Sequence, residues 1–290
     1  MTRILSALSE ISRNYDALFC DLWGCLHDGR RPFAEAVSAL REFRGGGGVV
    51  ALVTNAPRPR AEVEIQLDRI GVPRDCWDAI ATSGDSARVA MFEGAVGRKV
   101  HFIGYPKDLT FFEAPKVVEN PVDISRVPLD EAEGIVCTGP EDPYADPSVY
   151  RPRFLDARSR GLKLLCANPD VVVDFGDRRQ WCAGALAELY AEMGGESLYF
   201  GKPHPPIYDL ARRRLTALGR PTPDARILAI GDGPRTDVLG ANDEGIDAIF
   251  VTGGLAREET CTVENPDPDA LSAYLERESL SPPYAIGQLR

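Results

Sequence analysis

The sequence has no excess of basic residues, no C-x-x-C pair and no apolar run of membrane-spanning length. Acidic side chains outnumber basic ones, 44 to 33, and the net charge is −11. Nucleic-acid binders present a basic face, so that class is disfavoured. A bilayer-crossing helix needs about 20 consecutive apolar residues, and no run approaches that. The seven cysteines are odd in number and several lie within apolar runs, as in Ala17-Leu18-Phe19-Cys20. That pattern suits buried thiols in a reducing compartment. Met1 to Glu10 has no apolar core of a secretory leader. The expectation is a soluble, cytoplasmic protein with no membrane and no nucleic-acid partner.

Repeats and long low-complexity segments are also missing. Gly45 to Gly48 has no following Lys-Ser/Thr, so it reads as a turn and not as a phosphate loop. What is present is ordinary for a globular chain: 44% hydrophobic and 27% charged residues over 290 positions. That length suits about two domains.

Short uncharged runs alternate with amphipathic stretches. The runs predict strands at Ala17–Cys20, Val49–Val53, Ala79–Ala81, Ile227–Ile230 and Ala248–Val251. The amphipathic stretches predict helices at Phe33–Phe43, Arg60–Ile70, Pro206–Leu218 and Thr236–Glu244. Strand then helix, repeated, predicts a doubly wound, Rossmann-like α/β parallel sheet. A separate set of strands, at Lys99–Ile103, Gly134–Cys137 and Lys163–Cys166, predicts an inserted α/β domain. The expected division is a core of 1–82 and 196–265, an insert of 83–195, and a C-terminal helix and tail over 266–290.

Polar residues fall where such a sheet binds ligands, at the carboxyl ends of strands. Asp21 follows the first strand, Thr54 ends the second, and Asp232 follows the strand Ile227–Ile230. A strand-end carboxylate can attack phosphorus and split one hard step into two. A threonine hydroxyl, with the N–H groups of Asn55 and its neighbours, can cradle phosphate oxygens. Lys202 can neutralise a transferring phosphoryl group. Asp232 is a hard oxygen ligand suited to magnesium. Asp237 starts the following helix, where a carboxylate also favours the helix dipole.

Four segments carry a family resemblance: Phe19-Cys20-Asp21-Leu22-Trp23-Gly24, Val53-Thr54-Asn55-Ala56-Pro57-Arg58, Gly201-Lys202-Pro203 and Ile230-Gly231-Asp232-Gly233-Pro234-Arg235-Thr236-Asp237. In this order they resemble the four motifs of the haloacid dehalogenase superfamily. The insert resembles the cap of its class IIA branch, which includes NagD-like, pyridoxal phosphate and phosphoglycolate phosphatases. The resemblance implies a Mg2+-dependent phosphatase acting on a small phosphorylated metabolite such as a sugar phosphate or phosphocarboxylate. It implies Asp21 as nucleophile, and Thr54, Asn55 and Lys202 at the phosphate. The metal would be held by Asp21, Asp232, Asp237 and the backbone carbonyl of Trp23. A cap-mediated homodimer also fits the resemblance.

One position departs from the family. Most phosphatases of the superfamily read Asp-x-Asp in the first motif, the second aspartate serving as general acid and base. Here that residue is Trp23. Loss of such a group costs about 10²–10⁴ in rate. Three readings follow: a stand-in such as His27, Asp28 or Asp170; a substrate with a good leaving group; or a catalytically weak or inactive protein that binds a phosphometabolite. Ala167-Asn168-Pro169-Asp170 resembles a cap loop, which makes Asp170 a substrate candidate. Arg58 and Arg235 are candidates for a second anionic group on the substrate.

Overall fold

The computed structural model describes residues 2–115, 118–175 and 178–290. The first strands are β1 (Arg3–Ile4), β2 (Ala17–Cys20), β3 (Val49–Thr54) and β4 (Ala79–Thr82). Next come β5 (Lys99–Ile103), β6 (Ser125–Arg126), β7 (Gly134–Cys137) and β8 (Lys163–Cys166). They are followed by β9 (Val172–Phe175), β10 (Arg178–Trp181) and β11 (Glu196–Tyr199). The last are β12 (Ile227–Gly231), β13 (Asp247–Val251) and β14 (Tyr284–Ile286). The chain forms two compact units.

The first unit comprises Met1–Thr54, Glu64–Ala81 and Tyr208–Arg290. Its seven-stranded sheet has the order β1-β14-β13-β12-β2-β3-β4, and the pairs from β1 through β3 run parallel. Every residue of β2 and β3 is buried, as expected of strands covered on both faces. The helix Ala34–Gly45 buries Ala36, Val37, Leu40 and Phe43, one stripe at helical spacing. Its glycine run closes as a turn: the N–H of Gly46 donates to Glu42 and that of Gly48 to Phe43.

Two details of this unit differ from expectation. Residues 284–286, assigned to a tail, form an inner strand between β1 and β13. Three residues are too few to show a period, and only the open edge of β13 makes them a strand. The helix predicted from Thr236 begins instead as a π turn over Pro234–Val238, and regular helix covers only Leu239–Asp243.

The second unit comprises Asn55–Val63 and Thr82–Ile207. Its parallel sheet has the order β11-β8-β7-β5-β6, and β9 and β10 form a separate antiparallel pair. Apolar clusters cover it, one around Phe154, Leu186 and Tyr190, another around Met91, Val100 and Phe111. The insert therefore does not stop at 195, because β11 pairs with β8. Glu196 lies at the start of this strand and hides the apolar signal that Leu198 and Tyr199 carry.

Candidate active site

In the first unit, β2 runs between β12 and β3. The chain leaves β2 toward β3 and β4 on one side, then returns to build β12, β13 and β14 on the other. This reversal is the topological switch at which open α/β sheets bind ligands. Asp21 lies one residue beyond β2, Asp232 one residue beyond β12, and Thr54 ends β3. Cys20 is in register with Ile230, and the Asp21 N–H donates to the Ile230 carbonyl at 2.8 Å. All three side chains are buried.

Ligand atoms of Asp21, Asp232 and Cys25 lie within 4.8 Å of one another. Burial, then the negative charges of Asp232 and Asp21, push the Cys25 thiol well up, so it stays protonated and is a poor ligand. Two buried carboxylates remain, a hard donor set that matches a divalent cation such as magnesium. The Asp232 carboxylate is tightly framed. Its Oδ2 accepts the Leu255 N–H at 3.1 Å. A Cβ on Gly24 would stand 2.1 Å from that oxygen, and one on Gly254 would stand 2.0 Å away. This cradle fits a carboxylate that must hold one orientation toward an ion.

Asp237 is not in that group. Its Oδ2 accepts from the Gly233 N–H at 3.2 Å and from the Thr236 hydroxyl at 3.3 Å. Those bonds shape the turn that carries Asp232.

The loop after Asp21 folds on itself. The N–H groups of Leu26 and His27 both donate to the Leu22 carbonyl, and that of Gly24 donates to His27. The Trp23 indole meets the His27 ring edge-on at 5.2 Å. It also covers Gly29, where a Cβ would lie 2.2 Å from the indole. The catalytic duty expected of His27 does not fit this setting. Its Nδ1 accepts the Gly29 N–H at 3.0 Å, which leaves the proton on Nε2. That Nε2 is buried and has no hydrogen-bond partner among the described residues, and the residue is 1% exposed. Burial pulls the imidazole down to about 4. A neutral, enclosed imidazole keeps its Nε2 proton at neutral pH and so cannot serve as a general acid. Asp28 Oδ1 accepts from the N–H groups of Arg30 and Arg31, so it closes a turn.

Asn55, Arg58, Asp170 and Lys202 belong to the second unit. Three of them converge there. The Asn55 amide bonds the Lys202 backbone twice and Asp170 once. Arg58 is half-buried, and its charge bears on Asp108. In the first unit, Arg235 pairs with Glu278 at 3.1 Å on an exposed surface. Of the other histidines, His101 contacts the Val127 carbonyl at 3.4 Å and His204 stacks on Tyr199. Sequence reasoning missed Cys25, Gly24, Gly254 and Leu255. Gly24, the last residue of the first motif, was the one visible signal.

Known proteins share this fold. A model of haloacid dehalogenase-like hydrolases matches residues 18–116, and a HAD-hydrolase-like model matches residues 199–277. A haloacid dehalogenase-like hydrolase from Brucella suis is 38% identical, with a TM-score of 0.84, over 98% of this chain and 99% of its own. A possible sugar phosphatase from Cytophaga hutchinsonii shares the fold at 18% identity and a TM-score of 0.78, covering 99% and 98% of the two chains. A glycerol phosphate phosphatase from Mycobacterium tuberculosis, solved with magnesium, shares it at 24% identity and 0.63, over 84% of this chain and 70% of its own. No curated protein matches the chain. Among the described residues no helix is long and apolar enough to cross a membrane.

Proposed function

The chain belongs to the haloacid dehalogenase-like hydrolases, and from that premise we propose that it is a magnesium-dependent phosphatase of small phosphorylated metabolites. One observation carries the reading: Asp21 and Asp232, from neighbouring strands, bring buried carboxylates within 4.8 Å at the switch point. In this reading an Asp21 oxygen attacks phosphorus, the P–O bond to the leaving group breaks, and an aspartyl-phosphate forms. Water then cleaves that acyl phosphate and returns Asp21. Asp21, Asp232 and the Trp23 carbonyl would hold a magnesium ion, and Asp237 keeps the Asp232 turn in shape. Such an ion would supply charge withdrawal from the phosphoryl oxygens, easing the approach of an anionic nucleophile. Thr54 and Lys202 serve the phosphoryl oxygens, and Arg58 a second anionic group. The roles of Lys202 and Arg58 rest on motif order.

Trp23 supplies no proton and His27 is neutral and enclosed. The substrate class favoured is therefore an ester whose leaving group departs without a side-chain acid. The same feature supports a second reading, a protein that binds a phosphometabolite with little turnover. The two are separated by acid quenching during incubation with aryl phosphates and magnesium, followed by intact mass. One added phosphoryl group on the wild type, absent from Asp21→Asn, supports the enzyme. Thermal stabilisation by the phosphate ester with no phosphoryl adduct and no phosphate release supports the binder.

A further inference from the structure

Asn55 lies in the second unit with every polar atom of its amide engaged. Its Oδ1 accepts the Lys202 N–H at 2.7 Å. Its Nδ2 donates to the Lys202 carbonyl at 3.0 Å and to Asp170 Oδ1 at 2.8 Å. An asparagine amide offers two N–H donors and one carbonyl acceptor, and here each is used. Asn55 and Lys202 are each 3% exposed. The chain passes hard against the amide: a Cβ on Gly201 would lie 2.4 Å from Asn55 Oδ1. Asp170 is itself held, its N–H donating to Asn168 Oδ1 and its carbonyl accepting from Gly184, each at 3.0 Å.

We infer that Asp170 and Asn55 are positioning residues for Lys202, with Asp170 orienting the amide that grips the lysine backbone from both sides. Resting on the phosphatase reading, this deepens it by removing Asp170 from the candidates for proton transfer and substrate contact. The charge on Asp170 fixes which end of the amide faces it, since only the N–H end can. The Oδ1 end is then left for the Lys202 N–H. The lysine side chain thus springs from a backbone with one allowed setting.

The test is a set of four full-length variants with two readouts, turnover of an aryl phosphate and hydrogen–deuterium exchange of the Lys202 amide. Asn55→Ala removes the grip, and turnover falls about 100-fold, the cost of a small misplacement. Lys202 exchange quickens in the same variant. Asp170→Asn keeps an acceptor oxygen in place of a charged one, so turnover falls only about three- to tenfold. Asn55→Asp sets two carboxylates face to face and is at least as damaging as Asn55→Ala. Adding Asp170→Asn to Asn55→Asp restores an N–H to carboxylate pair and recovers tenfold or more, a coupling that independent sites do not show. A loss of 100-fold or more in Asp170→Asn, with a changed pH profile and unchanged Lys202 exchange, overturns the inference in favour of direct proton transfer. Unchanged exchange in Asn55→Ala also overturns it. Exchange is read without turnover, so failure of the phosphatase reading leaves this result standing or falling alone.

Discussion

Gly24 and Asp232 approach so closely that a methyl group on the glycine would stand 2.1 Å from the aspartate Oδ2. Gly24 also has φ +71, in the left-handed region that L side chains avoid. One residue thus meets two constraints: it turns the chain after Asp21 and leaves room for the second carboxylate. Gly254, in the loop after β13, leaves room for the same carboxylate, since a Cβ there would stand 2.0 Å from Asp232 Oδ2.

From that contact, Gly24→Ala is expected to weaken magnesium binding about 10- to 100-fold, the usual cost of disturbing the groups that orient a metal ligand. Titration calorimetry with magnesium alone reads this directly. Affinity equal to the wild type would show that the Asp232 carboxylate is not held by its glycine frame.

Trp23 is expected to govern how turnover depends on the leaving group. Across a series of aryl and alkyl phosphates, the wild type is expected to slow steeply as the leaving group becomes more basic. Trp23→Asp flattens that dependence and gains most, about 10²-fold or more, on the most basic leaving groups. A flat profile in the wild type would mean that another group already donates the proton.

Asp108 in the second unit gives a prediction for stability against pH. Burial pushes its carboxyl above the usual carboxylate range, opposed by the Thr138 hydroxyl at 3.0 Å and the charges of Lys107 and Arg58. A raised folded value means its contribution is full below the unfolded value near 4 and is lost as pH rises. Asp108→Asn keeps the acceptor for Thr138 and sheds the buried charge. Its Tm should exceed the wild type by about 2–4 °C at pH 7, a gain of order 1 kcal/mol. The gain should shrink toward pH 4. Calorimetric scans at both pH values decide it, and a lower Tm at pH 7 would contradict the assignment.

Particular residues show what could be read before the fold was known. Strands β2, β3 and β12 carry uninterrupted apolar runs, and a polar residue ending or following each marks a strand end without reference to anything distant. Asp21, Thr54 and Asp232 were legible for that reason. The Asn55 grip was not, because its partner Lys202 is 147 positions away and backbone atoms make the bonds. Leu255 and Gly254 were hidden likewise, since they reach Asp232 from the loop after β13. His27 looked like a free loop imidazole, and only its burial and the Gly29 N–H on Nδ1 show otherwise.

The most direct measurement is phosphate release from aryl phosphates by the full chain and by Asp21→Asn, with magnesium and with chelator. Release by the wild type that needs magnesium, and a fall of about 10³-fold or more in Asp21→Asn, is the expected result. Release that persists in Asp21→Asn would contradict the account, because no other residue is assigned to attack phosphorus.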